Sequence, residues 1–197
     1  MLNIGVLVSG GGTNLQAIID ETLAGNINAK VKVVISNKEN AYGLERARQN
    51  NIDAVFETDE EKIIKVLEEH NIDLVVLAGY LKIISSKFVD KFRNKIINIH
   101  PSLIPSFCGG GYYGQRVHQA VIDSGVKITG ATVHFVDEGT DTGPIIMQDT
   151  VEVKDNDDAQ TLSKRVLEIE HRILKKSISL FCENKLSIQG RRVFINE

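Results

Sequence analysis

The sequence predicts an α/β fold: a doubly wound, mostly parallel sheet in a three-layer α/β/α arrangement, with an antiparallel edge. Three observations predict it. Near-continuous apolar runs, such as LNIGVLV at residues 2–8 and LVVLA at 74–78, read as strands buried on both faces, as parallel sheets require. These runs alternate with amphipathic segments of helical period, the mark of βαβ units. After Pro101 the alternation stops, and two strand-like runs lie close enough in sequence to form an antiparallel pair at the sheet edge.

Taken in order, residues 2–8 form the first strand and 13–23 a helix, with Leu15, Ile18, Ile19 and Leu23 on its apolar face. Residues 31–35 form a strand, 42–49 a helix, 54–56 a short strand and 59–70 a charged amphipathic helix. The strand at 74–78 is followed by a helical piece around 85–92 and a strand at 96–100. Residues 105–113, a proline followed by SFCGGGYY, read as a flexible or specially turned loop. Residues 115–124 form a helix, 131–136 and 144–153 the two late strands, and 157–181 one long helix with Asp157 or Asp158 near its start. The tail, 186–195, has strand character around Arg191, Arg192 and Val193. No repeat, low-complexity tract or linker interrupts the chain, so a single domain over residues 1–197 is expected.

The 197 residues, 42% hydrophobic and 25% charged, suffice for one full core. A net charge of -3 argues against nucleic-acid binding by bulk charge, though not against a local anion site. Cys108 and Cys182 have neither metal-ligand nor CxxC spacing, so no metal is expected. Met1 leads directly into the first strand, and no apolar run approaches the ~18 residues of a membrane span. A reduced, cytoplasmic protein with no membrane or nucleic-acid partner is therefore expected. No exposed apolar stripe stands out, which suits a monomer or a weak homodimer.

Four groups of residues carry chemistry. In a strand over 96–100, Asn98 and His100 share a face, and Pro101 ends the strand there. Ligands bind at that end of open α/β sheets, where an amide and an imidazole together hold and protonate an oxyanion. A plain hydrogen-bonded pair fits the same residues.

The second group is Ser9-Gly10-Gly11-Gly12-Thr13-Asn14, between strand and helix. Its glycines permit close backbone approach, and free amides at the helix start suit a phosphate. The dinucleotide fingerprint fails because Leu15 stands where its third glycine belongs, and the Walker A loop fails for want of a lysine. A structural glycine turn remains the alternative.

The third group is the acidic loop Asp137-Glu138-Gly139-Thr140-Asp141-Thr142-Gly143, either a solvated turn or, if it reaches His100, the source of a carboxylate that raises the imidazole pKa. The fourth is Glu170, which falls within the Ala159, Leu162, Val166 and Ile173 stripe; it either contacts a ligand or marks where the stripe leaves the core. His134 shares a strand face with Thr132 and fits a structural or a proton-transfer role. His70, His118 and His171 read as helix positions without chemistry.

Four segments, SGGGTNLQAII, SNKENAYGLERA, INIHPSLIPSF and ATVHFVDEGTDTGPIIMQ, together resemble the folate-dependent phosphoribosylglycinamide formyltransferase (GAR transformylase) family, in register over nearly the whole chain. The resemblance implies the formyltransferase fold and formyl transfer from 10-formyltetrahydrofolate, as co-substrate, to the amine of glycinamide ribonucleotide in de novo purine biosynthesis. It implies catalytic roles for Asn98, His100 and Asp141, with His100 held cationic by Asp141. Ribonucleotide contacts are implied at Gly12, Thr13, Asn14 and Glu170. Folate contacts are implied at Leu81, Lys82, Ile83, Ile84 and Asn98 and along Asp137, Glu138, Gly139, Thr140 and Asp141.

Two stretches depart from the family pattern. Many members carry an Arg before the third helix, where this chain reads ETDEEKI, and many read Pro-Gly where it has Cys108-Gly109-Gly110-Gly111. Formyltetrahydrofolate hydrolase and methionyl-tRNA formyltransferase share the Asn-His-Asp set. The first normally adds an N-terminal domain, and the second a C-terminal RNA-binding domain and a basic face. A non-catalytic nucleotide-binding domain accounts for the glycine loop but not for Asn98, His100 and Asp141.

Overall fold

A computed structural model describes residues 1–196. Five strands form the parallel part of the sheet: β1 (Leu2–Val8), β2 (Ala29–Ser36), β3 (Asp53–Phe56), β4 (Leu74–Leu77) and β5 (Ile96–His100), in the order β3-β2-β1-β4-β5. Beyond β5 the sheet turns antiparallel through β6 (Ile128–Phe135) and β7 (Ile145–Glu152). The expected edge differs. The hairpin β8 (Leu186–Gln189) and β9 (Arg192–Ile195) extends the sheet past β7, giving nine strands with β8 outermost. The β6–β7 pair is thus interior. The tail alternates weakly, and its place rests on one parallel register pair, Ile145 with Arg192, and on the packing of Leu186, Ile188 and Val193 against the core, long-range contacts without a local sequence signal.

Side-chain alternation divides the core. Ile4, Val6, Leu74, Val76, Ile97 and Ile99 face one layer, with helices α1 (Thr13–Leu23), α2 (Tyr42–Gln49), α5 (Gln115–Ser124) and α6 (Ala159–Cys182). Leu7, Val75, Leu77 and Ile96 face the other, with α3 (Glu60–Glu69) and α4 (Ser86–Lys91). The doubly wound three-layer reading is thus correct. Most element ends fall within two residues of expectation; β6 begins three residues before Ala131 because Ile128 extends the ladder to Glu152.

Three helix starts are explained by side-chain capping. Asp59 accepts from the Glu61 amide at 2.9 Å, Ser85 from the Phe88 amide at 3.2 Å, and Asp158 makes a capping box with Thr161. Helix α1 differs. Gly12 stands at its N-cap with φ of 69°, and no side chain caps it. The turn is also backed by α2, since a Cβ on Gly12 would meet the Gly43 Cα at 2.9 Å.

Candidate active site

The strand order reverses between β1 and β4, and in sheets of this kind the crevice opens above the carboxyl ends there. Ser9 ties those ends together. Its amide donates to Gly79 O at 3.0 Å, its hydroxyl donates to Asn37 Oδ1 at 2.6 Å, and the Leu81 amide donates to that hydroxyl at 2.9 Å. Above them lies a cavity of about 540 Å³.

Asn98 and His100 enter this cavity from β5, on the face opposite Ile97 and Ile99, as the alternation predicts. Leu81, Lys82, Ile83 and Ile84 form one wall, and Asp137, Gly139, Thr140 and Asp141 another. Asn14 of α1 and Glu170 of α6 complete it. Gly12 and Thr13 do not line the cavity; they form the turn that leads into Asn14. Glu138 does not line it either. It turns away to pair with Arg93, because an exposed carboxylate finds its cation there. Lys82 reaches toward the stretch without an Arg and donates to Thr58 O at 2.6 Å.

The connection between β6 and β7 brings Asp141 back to β5. Asp141 Oδ2 lies 3.6 Å from His100 Nδ1 and accepts the Gly109 amide at 2.9 Å. Asp141 Oδ1 lies 3.5 Å from Asn98 Nδ2 and 3.7 Å from His134 Nε2. The acidic loop is therefore not merely a solvated turn. The flexible-looking loop after Pro105 also contributes backbone to the site: His100 Nε2 donates to Phe107 O at 2.9 Å. That bond leaves His100 Nδ1 as the nitrogen facing Asp141.

The electrostatics at His100 run against the cation that the resemblance implies. Burial pushes the His100 pKa down, and Asp141 only partly restores it, so the balance favours the neutral imidazole more than in a free side chain. For Asp141, burial acts upward but is outweighed by the nearby His134 and His100 rings and by the Gly109 amide, leaving the carboxyl below its usual range. Glu170, almost wholly buried, has its pKa raised by desolvation, against the opposing hydrogen bond from Asn14 Nδ2 at 2.7 Å. That bond explains how a carboxyl sits inside an apolar stripe.

His118 also lines the cavity, a place that the sequence reading missed. The signal was its position beside Val117 and Val121 on the buried face of α5. Its Nδ1 and the Asn14 Oδ1 are buried without partners among the described residues. Burial lowers its pKa from 6.5 to about 4. Between those pH values the unfolded chain binds the proton that the folded chain refuses, so stability falls as pH falls through that window. His118→Leu is expected to remove this loss, on the order of 3 kcal/mol, from a denaturation series run between pH 7 and 4. An unchanged pH slope in the variant would place the sensitivity elsewhere.

Among the described residues, no group of three or more His, Cys, Asp or Glu is placed to hold a metal ion, and no helix is long and apolar enough to cross a membrane.

The sequence profile of the family described as Formyl transferase matches residues 2–178. The chain is 41% identical over 206 residues to the phosphoribosylglycinamide formyltransferase of Haemophilus influenzae, covering 100% of this chain and 94% of that one. It is 41% identical over 192 residues to the chloroplastic phosphoribosylglycinamide formyltransferase of Vigna unguiculata, a match that takes in 93% of this chain but 62% of that longer protein. The crystal structure of glycinamide ribonucleotide transformylase 1 from Symbiobacterium toebii superposes with a TM-score of 0.94 at 43% identity, covering 100% of this chain and 95% of that one. The reversal of strand order, the antiparallel return that carries Asp141 to His100 and these likenesses agree, and the chain belongs to the formyl transferase family.

Proposed function

We propose that this chain, as a single domain, transfers a formyl group from 10-formyltetrahydrofolate to the amino group of glycinamide ribonucleotide, a reaction of de novo purine biosynthesis. One observation carries the reading: a single cavity is lined both by Asn14, in the first turn of the uncapped helix α1, with Glu170, and by the cluster of Asn98, His100 and Asp141. The first is suited to a phosphorylated sugar, the second to an acyl transfer. The relatives' names agree with formyl transfer to the ribonucleotide.

The uncapped amides after Gly12 hold the phosphate, and Asn14 with Glu170 meets the ribose. Glu170 suits hydroxyl groups because, when protonated, it both donates and accepts. The apolar Leu81, Ile83 and Ile84 wall fits a flat folate ring, with the loop from Asp137 to Asp141 providing polar contacts, as the family's folate-derived donor requires. The bound folate supplies the formyl carbon and departs as an amine.

His100 Nδ1, unprotonated at rest, takes the proton that the attacking amine sheds as its nitrogen bonds to the formyl carbon. The resulting imidazolium lies between Asp141 and the new oxyanion and stabilises it, together with an Asn98 amide hydrogen. His100 then returns the proton to the folate nitrogen as the old carbon–nitrogen bond breaks. Burial that keeps His100 neutral at rest thus leaves it free to accept, and Asp141 favours its charged form as the reaction proceeds.

Ultraviolet detection of the folate product, with and without glycinamide ribonucleotide, tests the reading. Product formed only with the acceptor is expected. Folate release without acceptor would make the protein a hydrolase, and binding of both compounds without turnover would make it a sensor. Glu170→Ala is expected to raise KM for the ribonucleotide by tenfold or more (~1.4 kcal/mol, the size of one hydrogen bond) with kcat much less changed. An unaltered ribonucleotide KM would remove Glu170 from the binding site.

A further inference from the structure

We propose that His134 is a positioning residue for this reaction: it holds the Asn98 carboxamide one way round, so that the nitrogen and not the oxygen serves the oxyanion. The inference rests on the role proposed above for Asn98. A carboxamide is nearly symmetric in shape, but its nitrogen only donates and its oxygen only accepts. A half-turn of Asn98 would set lone pairs against a developing negative charge. Some neighbour must select the orientation.

His134 has the geometry to do so. It is 2% exposed, and its Nδ1 lies 2.7 Å from Phe135 O. A carbonyl oxygen only accepts, so Nδ1 carries the proton, and a ring with one proton then presents Nε2 as a bare lone pair. That lone pair lies 3.0 Å from Asn98 Nδ2. The contact is therefore an N–H of Asn98 donating to His134. A reversed Asn98 would bring Oδ1 against Nε2, acceptor to acceptor. Asp141 Oδ1, 3.5 Å from Nδ2, acts in the same sense because it too only accepts. One hydrogen of Nδ2 is thus committed to His134. The other, only loosely held by Asp141, is the one that an oxyanion can claim.

The backbone supports this arrangement. Asn98 and His134 are directly opposed across the β5–β6 ladder, so the pair is set by strand register. The register of β6 with β7 slips between Val133 and His134, and a bulge of this kind re-aims a side chain next to a site. Neither residue lies on a loop, so the orientation is in place before substrate arrives.

Two substitutions separate positioning from bulk. In His134→Gln the side-chain oxygen reaches the place of Nε2 and still accepts from Asn98. In His134→Asn the shorter amide replaces only the Nδ1 contact with Phe135, and Asn98 loses its acceptor. We expect His134→Asn to lower kcat by ~10–100-fold with KM for both substrates little changed, and His134→Gln to recover most of the turnover. Wild-type kcat in a folded His134→Asn, or equal damage in both variants with both melting as wild type does, would overturn the proposal. If either variant fails to fold, 15N NMR of the wild-type imidazole decides. Protonated Nδ1 and bare Nε2 at neutral pH support the proposal. A proton on Nε2, in the other tautomer or in an imidazolium bound to Asp141, overturns it. The NMR result does not depend on activity, so a wild-type protein without turnover would reject the proposed function and leave the orientation of Asn98 to be judged by itself.

Discussion

His100→Ala is expected to lower kcat by ~10²–10³ while the ribonucleotide still binds, because the variant loses both the proton acceptor and the cation that faces the oxyanion. The phosphate and ribose contacts proposed at Gly12, Asn14 and Glu170 lie at the N-cap of α1, on α1 and on α6 and do not involve the His100 ring. KM for the ribonucleotide therefore stays near wild type, the pattern of an interaction made only in the transition state. The loss of a buried ring also leaves Phe107 O without its 2.9 Å partner, at a cost of ~1–3 kcal/mol in stability, so a melting curve accompanies the kinetics. Turnover like that of the wild type in a folded variant would remove His100 from the mechanism.

Asp141→Asn is expected to reduce turnover at neutral pH on the same scale, by a purely electrostatic route. The amide oxygen can still accept the Gly109 amide that now bonds Asp141 at 2.9 Å, so the loop stays in place. The negative charge is lost. Asp141 is the largest influence raising the His100 pKa against burial, so its removal moves the His100 titration further below its usual value. An NMR titration should find His100 protonating below pH 6.5 in the wild type and lower still in the variant. The imidazole then accepts the amine proton less readily. A His100 titration unchanged by the substitution, or an unchanged kcat, would separate the two groups.

The same pair marks what was readable before the structure. Strand β5 was legible to the residue, because Ile97 and Ile99 flank Asn98 at the strand period and Pro101 stops the ladder. The shared face of Asn98 and His100 followed from that period. Glu170 was visible as an oddity, but Asn14, 156 residues away, was not readable as its partner. His118 was passed over because a histidine on a helix has no local signal for what lies opposite it. The Phe107 carbonyl and the Gly109 amide belong to a glycine-rich loop whose path depends on backbone angles, with Phe107 at φ 50°, rather than on side-chain pattern. Glu138 and Asp141 are three residues apart in one acidic stretch, yet one faces Arg93 and the other His100.

The sequence by itself determined the layers, the order in which strands and helices alternate and the strand end where chemistry collects. These depend on local period and on Pro and Gly positions, which act over a few residues. Only the tertiary structure decided which polar groups meet there, that the tail hairpin and not β7 forms the edge, and that burial outweighs Asp141 in setting the direction of the His100 pKa. Those outcomes depend on long-range register and on burial, and the balance of desolvation against a carboxylate 3.6 Å away is written in no single segment of the chain.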